Sequence, residues 1–263
     1  MTSSQNFFLI PAGGHRLRAI WVGKGVSAMP VLVFLHEGLG SIPQWRDFPD
    51  ALCRATGCRG LVYERLGYGG SDAVSLPRPD DFLEREAEQV LPEVLDACGI
   101  DRPVLVGHSD GGTIALLFAS AFPQRPQGVI TEAAHVVLDE VTVAGVSDVF
   151  RRWSDGGLGV RLERYHGDNA ETMFRGWAET WLRPERRAWS IIDRLGAIVC
   201  PVLAIQGADD EHGLPAQLDA IVDGVSGPAE RLLVPDCAHV PHHQARSMVL
   251  ERMTAFLRAL RRG

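Results

Sequence analysis

The sequence predicts an α/β protein: a mainly parallel sheet with helices on both faces, plus an inserted helical cap. Three observations carry this. Short apolar, β-branched runs such as Val104-Leu105-Val106 alternate with segments of helical spacing along most of the chain, the pattern of strands buried beneath covering helices. One junction, "PVLVGHSDGGTIALLFA" at 103–119, compresses strand, tight turn and helix around a lone serine. Strand-like runs then vanish between roughly 136 and 190, where four of the six tryptophans collect.

The elements follow in order. Residues 7–11 and 16–22 read as two strands around Gly13-Gly14, and "VLVFLHEG" as a buried strand ending at His36. "WRDFPDALCRATG" has helical spacing and stops at Gly57, a residue that suits a helix end. "GLVYERLGYGGSD" is a strand entering a glycine-rich loop. "DFLEREAEQVLPEVLDACGI" is a helix, which Pro92 should kink, or whose last third it should mark, because proline lacks an N–H and crowds the preceding turn. After the strand and helix around Ser109 come strands in "GVITEAAH", "VCPVLAIQGADDEHG" and "ERLLVPDCAHV". A helix, "PAQLDAIVDGV", separates the last two, and a long amphipathic helix, with His242 and His243 facing solvent at its start, ends the chain.

The 263 residues, 46% hydrophobic and 22% charged, suit one large domain. Its core would comprise 1–135 and 191–263, with 136–190 as the insertion. An insertion after a strand's carboxyl end lands above the site, where a cap would sit. The net charge of −7, with no dense basic run before the terminal "LRALRRG", argues against nucleic-acid binding. No stretch reaches the length of a membrane span, and "MTSSQNFFLIPAGG" lacks the basic and apolar regions of a secretory leader. The expectation is a cytoplasmic protein without membrane attachment. The five cysteines form no C-x-x-C and sit in or beside apolar segments, where cysteine acts as a small hydrophobe.

Ser109 lies in G-x-S-x-G, fenced by Gly107, Gly111 and Gly112. A residue held in such a turn is strained, and glycines two positions either side remove side chains that would clash where strand and helix cross. The turn presents the serine oxygen at the carboxyl end of the sheet, with helix N–H groups behind it. No G-x-x-x-x-G-K-[ST] or G-x-G-x-x-G offers a phosphate-loop reading. A serine hydroxyl needs a base in reach and an acid to orient that base. Candidate bases near strand ends are His36, His135, His212 and His239, with His242 and His243 close behind. Candidate acids are Glu64, Glu132, Asp209, Asp210, Glu211 and Asp236.

"HEGLG", "YERLGYGGSD", "GHSDGG", "IQGADD" and "DCAHVPH", in that order, resemble the α/β-hydrolase superfamily over essentially the whole chain. The family order is serine, acid, histidine. The resemblance implies Ser109 as nucleophile and His239 as base, with Asp210, three residues after Gly207, as the acid and Asp209 as its rival. It implies an oxyanion hole from the backbone N–H of Asp110 and one from the loop after "VLVFLH", Gly38 first and Leu39 second. The common His-Gly is here His36-Glu37-Gly38, so Glu37 is a departure. It is expected either to turn toward Arg65 or His36 or to be solvated. Asp110 is expected to contribute its N–H, not its carboxylate. His36, Glu37, His135, Trp177 and Trp181 are candidates for contact with substrate. The implied activity is hydrolysis of a carboxylic ester or lactone of a small apolar or aromatic molecule. Carbon–carbon bond hydrolysis of ring-cleavage products and thioester hydrolysis are alternatives, and a silent ligand-binding relative a more distant one. A serine at 109 sets the chain apart from relatives that use a carboxylate nucleophile. No metal or organic cofactor is implied, the partner is a small-molecule substrate, and the oligomeric state is left open.

Overall fold

A computed structural model describes residues 6–26 and 29–261. The first residues of the leader reading and the last two of "LRALRRG" lie outside the described residues. Eight strands form one sheet: β1 (Phe8–Ala12), β2 (His15–Val22), β3 (Val31–Leu35), β4 (Arg59–Tyr63), β5 (Val104–His108), β6 (Gly128–Glu132), β7 (Val202–Gly207) and β8 (Ala229–Val234). Their order is β1-β2-β4-β3-β5-β6-β7-β8. β1 pairs antiparallel with β2 and β2 with β4; every other pairing is parallel. The first two strands meet at Gly13 and Gly14, both at positive φ, so β1 runs one residue later than its apolar pattern indicates.

Parallel strands must bury both faces, and β5 does. Leu105 packs into one hydrophobic cluster, while Val104 and Val106 pack into the cluster on the opposite face. Each such side chain contributes about 1.5–3 kcal/mol on full burial. The helix Phe48–Thr56 ends at Gly57 in the left-handed conformation, as its position suggested. The helix around Pro92 is not one regular rod. A π-helical turn, Glu86–Val90, links α-helical pieces Phe82–Arg85 and Leu91–Ala97. Pro92 thus opens the last third of the helix, the second of the two expectations, and the wider turn before it accommodates the proline ring and missing donor without a simple kink.

Between β6 and β7 the chain forms helices Glu140–Ser154, Gly157–His166 and Ala170–Trp181. A single bridge, Val137 to Ser190, ties the ends of this segment together. Trp153 stacks on Phe174 at 4.2 Å within it. The last helix is also broken: Pro241–Gln244 forms a short turn of helix, and Arg246–Ala259 follows. His242 is therefore not at a solvated helix start. It is buried, its Nδ1 2.6 Å from a Glu132 carboxylate oxygen. A carboxylate on β6 gives this imidazole a polar partner inside the fold, which the helical pattern alone could not reveal. Among the described residues no helix is long and apolar enough to cross a membrane.

Candidate active site

β5 runs into the helix Asp110–Ala121 with only Ser109 between them, at φ 52 and ψ −118. Such a backbone costs on the order of 1–3 kcal/mol and persists only where its surroundings enforce it. The glycines explain how. A Cβ on Gly107 would strike the Gly111 carbonyl, and one on Gly111 would strike the Leu35 carbonyl of β3. The turn is held by the Ser109 N–H donating to Glu132 O at 2.8 Å and by the Thr113 N–H donating to Ser109 O at 3.0 Å.

Two loops at neighbouring strand ends supply the other groups. At the end of β7 a Cβ on Gly207 would collide with the Cys237 and Ala238 carbonyls, so glycine lets the loop after β7 lie against the loop after β8. Asp210 there accepts from the His212 N–H at 2.8 Å and, more weakly, from Gln206 Nε2 at 3.2 Å. Its Oδ1 is 2.8 Å from His239 Nδ1, and His239 Nε2 is 3.0 Å from Ser109 Oγ. An ionised carboxylate only accepts, so Nδ1 carries the proton and Nε2 is free to accept from the serine hydroxyl. Burial holds the His239 imidazole down to about 3, against the upward pull of Asp210. Burial raises the Asp210 carboxyl, but the bond and charge of His239 outweigh it and leave the group below its ordinary value. Asp209 is exposed; its N–H donates to Cys237 O. Glu132 is committed to His242.

The loop after β3 faces Ser109 from the other side. Among the described residues no protein group accepts from the N–H of Gly38, Leu39 or Asp110. A Cβ on Gly38 would collide with the Trp177 indole, and one on Gly40 with the Glu37 carboxylate. The Glu37 side chain does not turn to Arg65 or His36, as one expectation has it; only the residue's backbone carbonyl meets them. Its carbonyl accepts from Arg65 at 2.8 Å and from His36 Nδ1 at 2.7 Å. Its carboxylate turns to His108 Nδ1 at 3.4 Å. Burial opposes ionisation of Glu37, but His108 more than compensates and holds the carboxyl well below its usual range. Burial likewise opposes charge on His108, yet Glu37, with Glu132 behind it, raises the imidazole to about 9.

One expectation needs correction. His36 is wholly buried and does not line the cavity; its Nε2 accepts from the Arg65 N–H at 3.1 Å, so it supports the loop from beneath instead of touching substrate. The Asp110 carboxylate, not expected to take part in the oxyanion hole, has structural partners of its own. It lies 3.6 Å from the buried Arg65 guanidinium and accepts from Trp181 Nε1 at 3.2 Å. A buried carboxylate needs such partners.

These groups open on a cavity of about 520 Å³. Glu37, His135, Trp177 and Trp181 line it, together with an apolar lobe of Val146, Val149, Leu158 and Leu162 from the segment between β6 and β7. His135 is positioned by Nε2 against His212 O at 2.8 Å. Six of the nine histidines reach the wall. His108, Gln44 and Arg46 were not singled out from sequence. Only His108 carried a signal, its place beside Ser109. Among the described residues no cluster of three or more His, Cys, Asp or Glu is placed to hold a metal ion.

A family model described as "alpha/beta hydrolase fold" matches residues 30–197, more than half of the chain. The chain belongs to the α/β-hydrolase fold family. This α/β-hydrolase is 27% identical over 214 residues to a 2-hydroxy-6-oxo-6-phenylhexa-2,4-dienoate hydrolase of Burkholderia cepacia, covering 70% of this chain and 74% of that one. It is 29% identical over 156 residues to a 2-succinyl-6-hydroxy-2,4-cyclohexadiene-1-carboxylate synthase of Klebsiella pneumoniae, covering 59% and 56%. A solved membrane phospholipase A, described as a bacterial virulence factor, superposes with a TM-score of 0.80 at 18% identity, over 98% of this chain and 87% of that one. The protein is an enzyme of the α/β-hydrolase family.

Proposed function

We propose that this α/β-hydrolase cleaves a carboxylic ester or lactone of a small apolar or aromatic molecule through an acyl-enzyme. One observation carries the reading: the chain of hydrogen bonds from Asp210 through His239 to Ser109, open to a cavity with an apolar lobe. Ser109 Oγ attacks the substrate carbonyl as His239 Nε2 takes its proton. The developing oxyanion is received by the N–H of Asp110 and that of Gly38, with Leu39 the alternative donor. Collapse expels the alcohol, which leaves with the proton from His239. Water, deprotonated by His239, then attacks the acyl-enzyme and releases the acid. Asp210 keeps the imidazole in the productive tautomer and stabilises the imidazolium. Residues 136–190 act as a cap over 1–135 and 191–263, and Trp177 and Trp181 shape the pocket from above. The substrate is a small molecule, and the chemistry draws on this chain's own side chains and backbone N–H groups, with water.

A second reading is hydrolysis of a carbon–carbon bond, favoured by the likeness to the Burkholderia cepacia hydrolase. A fluorophosphonate tests the nucleophile: covalent labelling at Ser109 is expected, and no labelling overturns both readings. A panel of p-nitrophenyl esters, lactones, thioesters and a vinylogous diketone then separates them. Turnover of the diketone alone would replace the ester reading with the second.

A further inference from the structure

We propose that Glu37 is a positioning residue for the oxyanion loop, its carboxylate paired with an imidazolium at His108, the residue before the nucleophile. The inference rests on the serine-hydrolase reading above and deepens it. A carboxylate beside a site where negative charge develops opposes catalysis unless a cation offsets it. The protons of His108 supply that cation on geometric grounds. Its Nε2 lies 2.7 Å from the His239 carbonyl, which can only accept. Its Nδ1 is buried with no hydrogen-bond partner, and the nearest charge to it is a Glu37 carboxylate oxygen at 3.4 Å, a group that can only accept. A ring flanked by two acceptors carries a proton on both nitrogens.

The loop is built for this contact. Gly40 has no side chain, and a Cβ there would occupy the place of the Glu37 carboxylate. The Gly40 N–H closes the turn on Glu37 O at 3.1 Å. Glu37 is thus held at two points: its carbonyl by Arg65 and His36, from the ends of β4 and β3, and its carboxylate by His108, from the end of β5. The N–H of Gly38 follows directly in the chain, so orienting Glu37 orients that donor. The same His108 ring anchors the backbone of His239, joining donor and base through one side chain. Deprotonating His108 would leave the Glu37 charge uncompensated beside the oxyanion. The titratable groups facing His108 are Glu37 on the oxyanion loop and Glu132 on β6, with His212 on the loop after β7. His239 faces it from the loop after β8, and His242 and His243 from the helix Pro241–Gln244.

The test is the rate of Ser109 labelling by a fluorophosphonate as a function of pH, a reaction that needs the base and the oxyanion donors but not the natural substrate. In the native protein the rate should fall at alkaline pH in a step near 9, the value to which His108 is raised. Glu37→Gln should label about 10- to 100-fold more slowly at neutral pH, less than the roughly 10²–10³ for outright loss of an oxyanion donor. Its alkaline step should disappear, because without the Glu37 charge the loss of the His108 proton leaves nothing uncompensated beside the oxyanion. Glu37→Asp keeps the charge but shortens the reach, so it should lose rate and keep the step near 9; it also serves if the glutamine variant fails to fold. A folded Glu37→Gln protein with native rate and a retained alkaline step overturns the proposal while leaving the serine-hydrolase reading intact. A native protein that does not label at all overturns both.

Discussion

Replacing Asp210 with asparagine tests the relay at its most buried joint. Oδ1 takes two donors, His239 Nδ1 and the His212 N–H, both at 2.8 Å, while Oδ2 takes only Gln206 Nε2 at 3.2 Å. An asparagine must place an amide NH₂ at one of these positions. Facing Gln206 it meets one donor at the longer distance; facing His239 it meets two at the shorter. The amide oxygen therefore stays toward His239, and the productive tautomer survives. What is lost is the charge opposite the imidazolium in the transition state. At about 4 Å and an effective dielectric of about 20 that interaction is worth roughly 4 kcal/mol. The expected loss in kcat is thus about 10³-fold, below the roughly 10⁴-fold seen where the substitution also inverts the tautomer. Asp209→Asn, at an exposed position, should cost less than about tenfold. The assay is steady-state hydrolysis of the best p-nitrophenyl ester from the panel, with circular dichroism to show that the fold is intact. A folded Asp210→Asn enzyme within tenfold of native, or a crippled Asp209→Asn enzyme, would refute the assignment.

Ser109→Ala should abolish fluorophosphonate labelling and lower kcat by on the order of 10⁴ or more; retained turnover by the folded variant sinks the nucleophile assignment. Since burial lowers the His239 imidazole to about 3, the acid limb of kcat/KM should lie below the ordinary histidine value of 6.5, and a limb at or above 6.5 contradicts that. Trp177→Ala opens space against Gly38 and the apolar lobe, so KM or the preferred acyl length should change by more than kcat per folded molecule; unchanged specificity with a large fall in Tm argues for a packing role. Stability should also depend on pH in two directions. His239 and His243 are held below 6.5 in the folded state, so their contribution is present above 6.5 and is lost as pH falls toward 4. His108 is raised, so its contribution is present below 6.5 and is lost as pH rises through 9. Urea midpoints should peak near pH 6.5, and a midpoint that climbs steadily in either direction refutes the balance.

The sequence by itself determined the class of fold and the local shape of the turn at Ser109. Strand periodicity, glycine spacing and the alternation of strand and helix are short-range consequences of steric and burial rules, so they are legible in a few residues at a time. The family resemblance of its motifs further implied Ser109, His239 and Asp210, with Asp209 as rival to the last. Only the tertiary structure decided what the charged residues around them touch. His242 carries a helical pattern that points it to solvent, yet it lies inside the fold because Glu132, 110 positions away, meets it there. His36 sits at a strand end suited to touching substrate, but Arg65 draws it beneath the loop. Glu37 and His108 are 71 positions apart in the numbering, and nothing local to either shows that they pair. Which side of a loop a carboxylate faces depends on the cation that a different strand brings to it. That is settled by the crossing of β3, β4 and β5, and the linear pattern of each segment holds no record of it.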